Sequence, residues 1–103
     1  MAVVEGGARR QDSVAAGVAA LGAGPPDDVV LVHDGARPLA SPELVARVAA
    51  AAAEHGAAIP VVPVAETLKR VVDGQVAATV DRTLLAAAQT PQGIRRDVLA
   101  RAW

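Results

Sequence analysis

Asp34 follows directly on the apolar run Val29-Val30-Leu31-Val32-His33, and Arg37 comes three residues later, just ahead of Pro38. A carboxylate can hold Mg2+, which takes one or two such ligands and completes its shell with phosphate oxygens and water. A guanidinium can grip phosphate through paired N–H groups. The same two residues could instead close a turn as an ion pair, and spacing alone leaves both readings open. A second candidate runs from Gly6 to Ser13, with two glycines, Arg9, Arg10 and a hydroxyl at the start of a helical pattern. Free N–H groups and the helix dipole favour an anion there. No lysine stands at the spacing of a phosphate-binding loop, so a glycine turn with solvated arginines competes with the anion site. Covalent catalysis has less support, because the chain has no cysteine and Ser13 lacks the glycines of a nucleophile elbow. His33 and His55 share no metal-type spacing, and His33 is expected to be a packed side chain. Glu66, Asp81, Lys69 and Arg70 read as solvated charges. Arg82, beside a helix start, is placed to meet a partner or an anion.

Such side chains need elements to hold them. Met1 to Val4 reads as the end of a strand running into the glycine loop, and Val14, Val18 and Leu21 recur at helical spacing behind a cap at Asp12 or Ser13. The unbroken run Val29 to His33 is what a parallel strand buried on both faces requires. Ser41-Pro42-Glu43 opens a helix that continues through about His55 and ends at Gly56. Ala57 to Val64 follows as a strand interrupted by Pro60 and Pro63, which suits an edge or a bend. Asp73-Gly74 between Thr67–Val72 and Gln75–Val80 is a hairpin signal, since a type I′ turn demands positive φ at both central residues. A short helical piece is expected around Thr83 to Ala88, and a last helix from Arg95. Strand, loop, helix repeated in this way is the order of a parallel α/β sheet, with ligands outside the carboxyl ends of the strands.

Composition sets the bounds. With 103 residues the chain is at most one domain, and its formal charge of −1 supplies no general basic field for nucleic acid or anionic lipid. Hydrophobic residues make up 52% and charged residues 20%, enough for a core, but Trp103 is the sole aromatic, so Ala, Val and Leu must fill it. No apolar stretch reaches the roughly 20 residues of a membrane span. The absence of cysteine fits a reducing compartment, so the cytoplasm is the expected location, with no membrane partner.

Taken together, the motifs resemble those of the 2-C-methyl-D-erythritol 4-phosphate cytidylyltransferases. They are Gly6-Gly7 with Arg10-Gln11-Asp12-Ser13, then His33-Asp34-Gly35-Ala36-Arg37-Pro38, Glu66-Thr67-Leu68-Lys69, Val80-Asp81-Arg82, and Gln89-Thr90-Pro91-Gln92-Gly93. The resemblance implies an α/β fold, a partial Rossmann-like nucleotidyltransferase sheet with a protruding β-hairpin arm at about residues 64–80. It implies transfer of a cytidylyl group from CTP to methylerythritol phosphate with release of pyrophosphate, with Mg2+ at Asp34 and with Gly7, Arg10 and Ser13 around the nucleotide. Arg37, Thr67 and Thr90 would line the acceptor pocket. The arm would build a homodimer in which Arg82 acts catalytically in the neighbouring site. Ala8 departs from the acid or polar residue common at that position. The family also has a glycine-rich loop with an arginine and a Pro-Lys segment upstream, and an acid and a lysine downstream. Residues 1–103 are therefore expected to form an incomplete domain, inactive alone. A ribitol-phosphate cytidylyltransferase, or a non-catalytic nucleotide-binding or dimerising fragment, are the alternatives, and fusion to a cyclodiphosphate synthase domain stays open.

Overall fold

The computed structural model describes all 103 residues. Gly6 and Gly7 let the chain fold back over the start of α1 (Arg10–Ala20): a Cβ on Gly7 would lie 2.3 Å from that of Asp12. Met1 to Val4 forms no strand. Arg9, and not Asp12 or Ser13, is the N-cap residue of α1; Asp12 sits in the first turn and its carboxylate accepts from the Arg9 backbone N–H at 3.2 Å and from its guanidinium. β1 (Val29–Val32) leads to the Asp34 turn. α2 (Pro42–His55) begins as expected, with the Leu44 N–H donating to Ser41 Oγ at 3.1 Å. It ends on Gly56 at φ 94°, which glycine adopts without a Cβ penalty.

Beyond α2 the expected single strand splits into β2 (Ala57–Ala58) and β3 (Val61–Pro63), with the Pro60 carbonyl between them accepting the Gln89 N–H at 2.9 Å. β4 (Lys69–Val72) and β5 (Gln75–Thr79) form the expected hairpin, with Asp73 at φ 50° and Gly74 at φ 76°, and the Val80 N–H adds one further bond to the Leu68 carbonyl. The expected helix at Thr83 to Ala88 is absent; β6 (Ala86–Ala88) pairs antiparallel with β3. Alanine is the best helix former, but propensity is a weak constraint over three residues and the ladder overrides it.

The parallel sheet is corrected as well. β7 (Gln92–Arg95) lies between β1 and β2 and pairs antiparallel with both, Val30 opposite Ile94 and Ala57 opposite Ile94. β1 and β2 therefore run the same way without touching. α3 (Arg96–Ala102) follows immediately. Val48 and Ala52 of α2 cover one face of this three-stranded sheet and, with Val30, make the buried hydrophobic core. Of β1, Val30 alone is buried, so the strand is not enclosed on both faces. The accessible surface, 7559 Å², exceeds the about 5,400 Å² of a compact chain of this mass. The radius of gyration, 16.8 Å against about 13 Å, agrees. The hairpin of β4 and β5 is exposed at every residue.

Candidate functional site

β1 delivers His33 and Asp34 at its carboxyl end, and the Arg37 N–H closes a turn on the Asp34 carbonyl at 3.0 Å. Arg10, at the start of α1, donates to Asp34 Oδ1 at 3.3 Å, and Arg37 Nε donates to Oδ2 at 3.3 Å. Both bonds are longer than the about 2.8 Å of a tight charge-assisted pair, so neither guanidinium is locked. Arg37 also reaches across to the Gln89 side chain. The ion-pair reading of Asp34 and Arg37 is thus realised, with Arg10 as a third member.

Thr90, 6% exposed, anchors this turn from beneath: its Oγ1 accepts the Asp34 N–H at 3.1 Å and meets His33 Nδ1 at 3.0 Å. His33 is exposed rather than packed, and its ring nitrogens serve polar partners, the buried Thr90 hydroxyl on one side and the Arg37 carbonyl at 2.7 Å on the other. At the other loop, the Gly7 N–H donates to Ser13 Oγ at 3.0 Å, and that hydroxyl in turn faces the Arg9 carbonyl at 3.5 Å.

Two clefts flank the turn. One, of about 480 Å³, lies between α1 and β1 and is lined by Arg10, Ser13, His33 and Asp34, the last its only carboxylate. The other, of about 450 Å³, is lined by Arg37, Gln89 and Thr90 over Leu39, Leu44 and Pro60. Of the residues expected around nucleotide and metal, Arg10, Ser13 and Asp34 therefore share one cleft, and Arg37 and Thr90 share the second. Gly7 lines neither cleft and stands behind the first, bonded to Ser13. Thr67 lies exposed ahead of β4, outside both clefts. Arg82 also stands apart, bonding the Ala65 carbonyl at the base of the hairpin beside Val61, Val64 and Leu85. His33 and Gln89 are the contributors that sequence reasoning leaves without a role; both belong to the His-Asp and Gln-Thr-Pro-Gln motifs.

The hydrogen bond from Arg10, helped by Arg37 and opposed by partial desolvation, holds the Asp34 carboxyl below its ordinary 3.8. Asp12 beside Arg9, Asp81 beside the Thr83 N–H and Asp97 beside Arg95 are lowered too. Folded values below unfolded ones mean that this stabilisation is complete above the unfolded value and drains as pH falls through the folded ones. The urea midpoint is expected to be lower at about pH 3 than at about pH 5; a higher midpoint at the acid end would contradict these pairings.

No group of three or more His, Cys, Asp or Glu side chains gathers into a protein-only metal cage. Asp34 alone suits a metal that brings its own phosphate ligands, since Mg2+ needs as few as one protein carboxylate.

The sequence model described as IspD, 2-C-methyl-D-erythritol 4-phosphate cytidylyltransferase, matches residues 1–103. The chain belongs to that family. The 2-C-methyl-D-erythritol 4-phosphate cytidylyltransferase of Frankia casuarinae is 55% identical over 105 residues, covering 98% of this chain and 38% of that protein. The bifunctional enzyme IspD/IspF of Rhodospirillum rubrum is 54% identical over 99 residues, 96% of this chain and 26% of its own length. The crystal structure of the cytidylyltransferase from Thermus thermophilus superposes with a TM-score of 0.82 at 46% identity, covering 96% of this chain and 47% of that one. The mixed α/β arrangement of short antiparallel sheets is thus part of the nucleotidyltransferase fold of IspD, and the chain spans less than half the length of these relatives. No helix is long and apolar enough to cross a membrane.

Proposed function

We propose that this chain carries the central part of a site that transfers a cytidylyl group from CTP to 2-C-methyl-D-erythritol 4-phosphate, in non-mevalonate isoprenoid synthesis. The observation that supports this most is the pair of clefts meeting at the Asp34–Arg37 turn, one with a carboxylate and a cation, the other with a cation and polar neighbours. An acceptor phosphate oxygen attacks the α-phosphorus of CTP, the bond to the bridging oxygen breaks, and pyrophosphate leaves. Two polyanions must meet, so positioning and charge neutralisation carry the reaction. Arg10 turns from Asp34 towards the nucleotide phosphates, and Arg37 towards the acceptor phosphate. Asp34 would be a protein ligand for Mg2+, which would neutralise charge on the triphosphate. Ser13 borders the nucleotide side with Gly7 bonded behind it, Thr90 belongs to the acceptor side, and Thr67, outside both clefts of its own copy, would join an acceptor pocket only across the arm, as Arg82 does.

The hairpin arm joins two copies as a homodimer, bringing Arg82 to the neighbour's acceptor. Val71, Val72 and Val76 stand exposed on it, at 60%, 53% and 64%, as a surface that a partner can cover.

Calorimetry with CTP tests the nucleotide part of this reading. Heat that depends on Mg2+ is the expected result; no binding with or without the metal, in a folded chain, would sink it.

A further inference from the structure

We infer that His33 is a positioning residue of this site: its imidazole spans from Thr90 to the Arg37 carbonyl and holds the Asp34–Arg37 turn in the shape that presents carboxylate and guanidinium side by side. The inference deepens the cytidylyl-transfer reading and rests on it for its meaning, but not for its geometry.

The direction of each bond follows from donor and acceptor chemistry. A carbonyl only accepts, so the contact of 2.7 Å to the Arg37 oxygen puts the ring proton on Nε2. In the neutral ring Nδ1 then offers a lone pair, and the Thr90 hydroxyl, 3.0 Å away, donates to it. The same hydroxyl oxygen accepts the Asp34 N–H at 3.1 Å. One chain of donation therefore runs from the Asp34 amide through Thr90 and His33 to the Arg37 carbonyl, each bond polarising the next in the same sense. It begins and ends on the two residues whose side chains form the cluster.

Two features make the ring the part that decides the geometry. The internal bond of the turn, Arg37 N–H to Asp34 carbonyl, fixes only its width. Two bonds on the buried Thr90, one from the Asp34 N–H and one to His33 Nδ1, fix the turn against the segment between β6 and β7, and the ring carries that anchorage on to the Arg37 carbonyl. Without the ring, the Arg37 backbone is tied to that segment only by the Arg37 side chain on Gln89. That side chain is the one that must leave to meet a phosphate.

Nitrogen NMR of the histidine rings, followed by calorimetry with CTP and Mg2+, tests this. His33 is expected as a single Nε2–H tautomer, with an Nδ1 resonance that moves in Thr90→Val and stays in Thr90→Ser. His33→Phe is expected to shift the Asp34 and Arg37 amides and to weaken Mg2+-dependent CTP binding by about tenfold, in the range found when a ligand loses its supporting partner. His33→Gln, able to donate and accept, should recover part of that loss. A ring averaging between tautomers, or unmoved by Thr90→Val, overturns the clamp, as does undiminished CTP binding in His33→Phe. If the unsubstituted chain binds no CTP, the reading of the site fails, and the ring and amide signals alone decide whether His33 holds the turn.

Discussion

Asp34→Asn is expected to leave the chain binding CTP no better with Mg2+ than without it. The substitution keeps the shape of the side chain and both bonds of the turn backbone, since the Asp34 amide and carbonyl, not its carboxylate, bind Thr90 Oγ1 and the Arg37 N–H. It removes the only carboxylate of the cleft between α1 and β1. A neutral amide oxygen is a poor substitute for an anionic ligand to a hard cation. The loss should be at least the roughly 10- to 100-fold that follows when a mere outer partner of a metal ligand is removed. The metal-free affinity moves the other way. Arg10 and Arg37 each point one guanidinium nitrogen at the carboxylate, at 3.3 Å, and without that charge Arg10, which lines the nucleotide cleft, is freer to meet the triphosphate. A two-way titration, with and without metal, separates the two effects; Mg2+-dependence that survives in Asp34→Asn would remove Asp34 from the metal site.

Gly93→Ala is expected to be the most damaging small substitution in the sheet. Gly93 sits on β7 opposite Leu31 and faces α2. An added Cβ would lie 2.9 Å from the Ala52 Cβ, 3.1 Å from Leu31 Cδ2 and 3.2 Å from Val48 Cγ1. The leucine can turn, but the Ala52 methyl has no rotamer to change and is wholly buried, so α2 itself must retreat. Overpacking of this kind costs about 1–3 kcal/mol. Only 7 of 103 residues are buried, so the loss falls on a small reserve. Urea unfolding of the single variant, of Ala52→Gly and of the pair checks the cause. The pair should be more stable than the sum of the two losses, because deleting the opposing methyl makes room, even though glycine inside α2 costs about 1 kcal/mol by itself. Strict additivity would mean that the two groups do not collide.

How far these features can be read from the chain depends on where their causes lie. The start of α2 and the Asp73-Gly74 turn are legible because each is decided within a few residues, by a cap, a proline or a pair of positive φ angles. The Asp34–Arg37 turn is legible as a place, since an apolar strand ends there. Its third member, Arg10, arrives from α1, and no local pattern announces that contact. β7 escapes notice because Gln92-Gly93-Ile94-Arg95 carries no strand pattern of its own, and it is a strand because β1 and β2 bond it on both sides. β6 reads wrongly as helix for the same reason: three alanines lean towards helix until β3 offers them a ladder. His33 misleads in a further way. An apolar neighbourhood suggests packing, whereas its partners are a carbonyl four residues on and the Thr90 hydroxyl, which arrives from the far end of the chain.

The order β1-β7-β2 has a consequence for how the chain is made. The middle strand of this sheet is the latest of the three in sequence, so Val32 cannot find Gln92, nor Ala57 find Ile94, until residues 92–95 have left the ribosome. Until then β1 and β2 have α2 to pack on but no strand between them, while the β4–β5 hairpin, closed by a two-residue turn, needs no distant partner for its ladder. The helices and the hairpin are thus the parts that need only near neighbours, and the site turn is completed late, when Thr90 swings in ahead of β7 to meet Asp34.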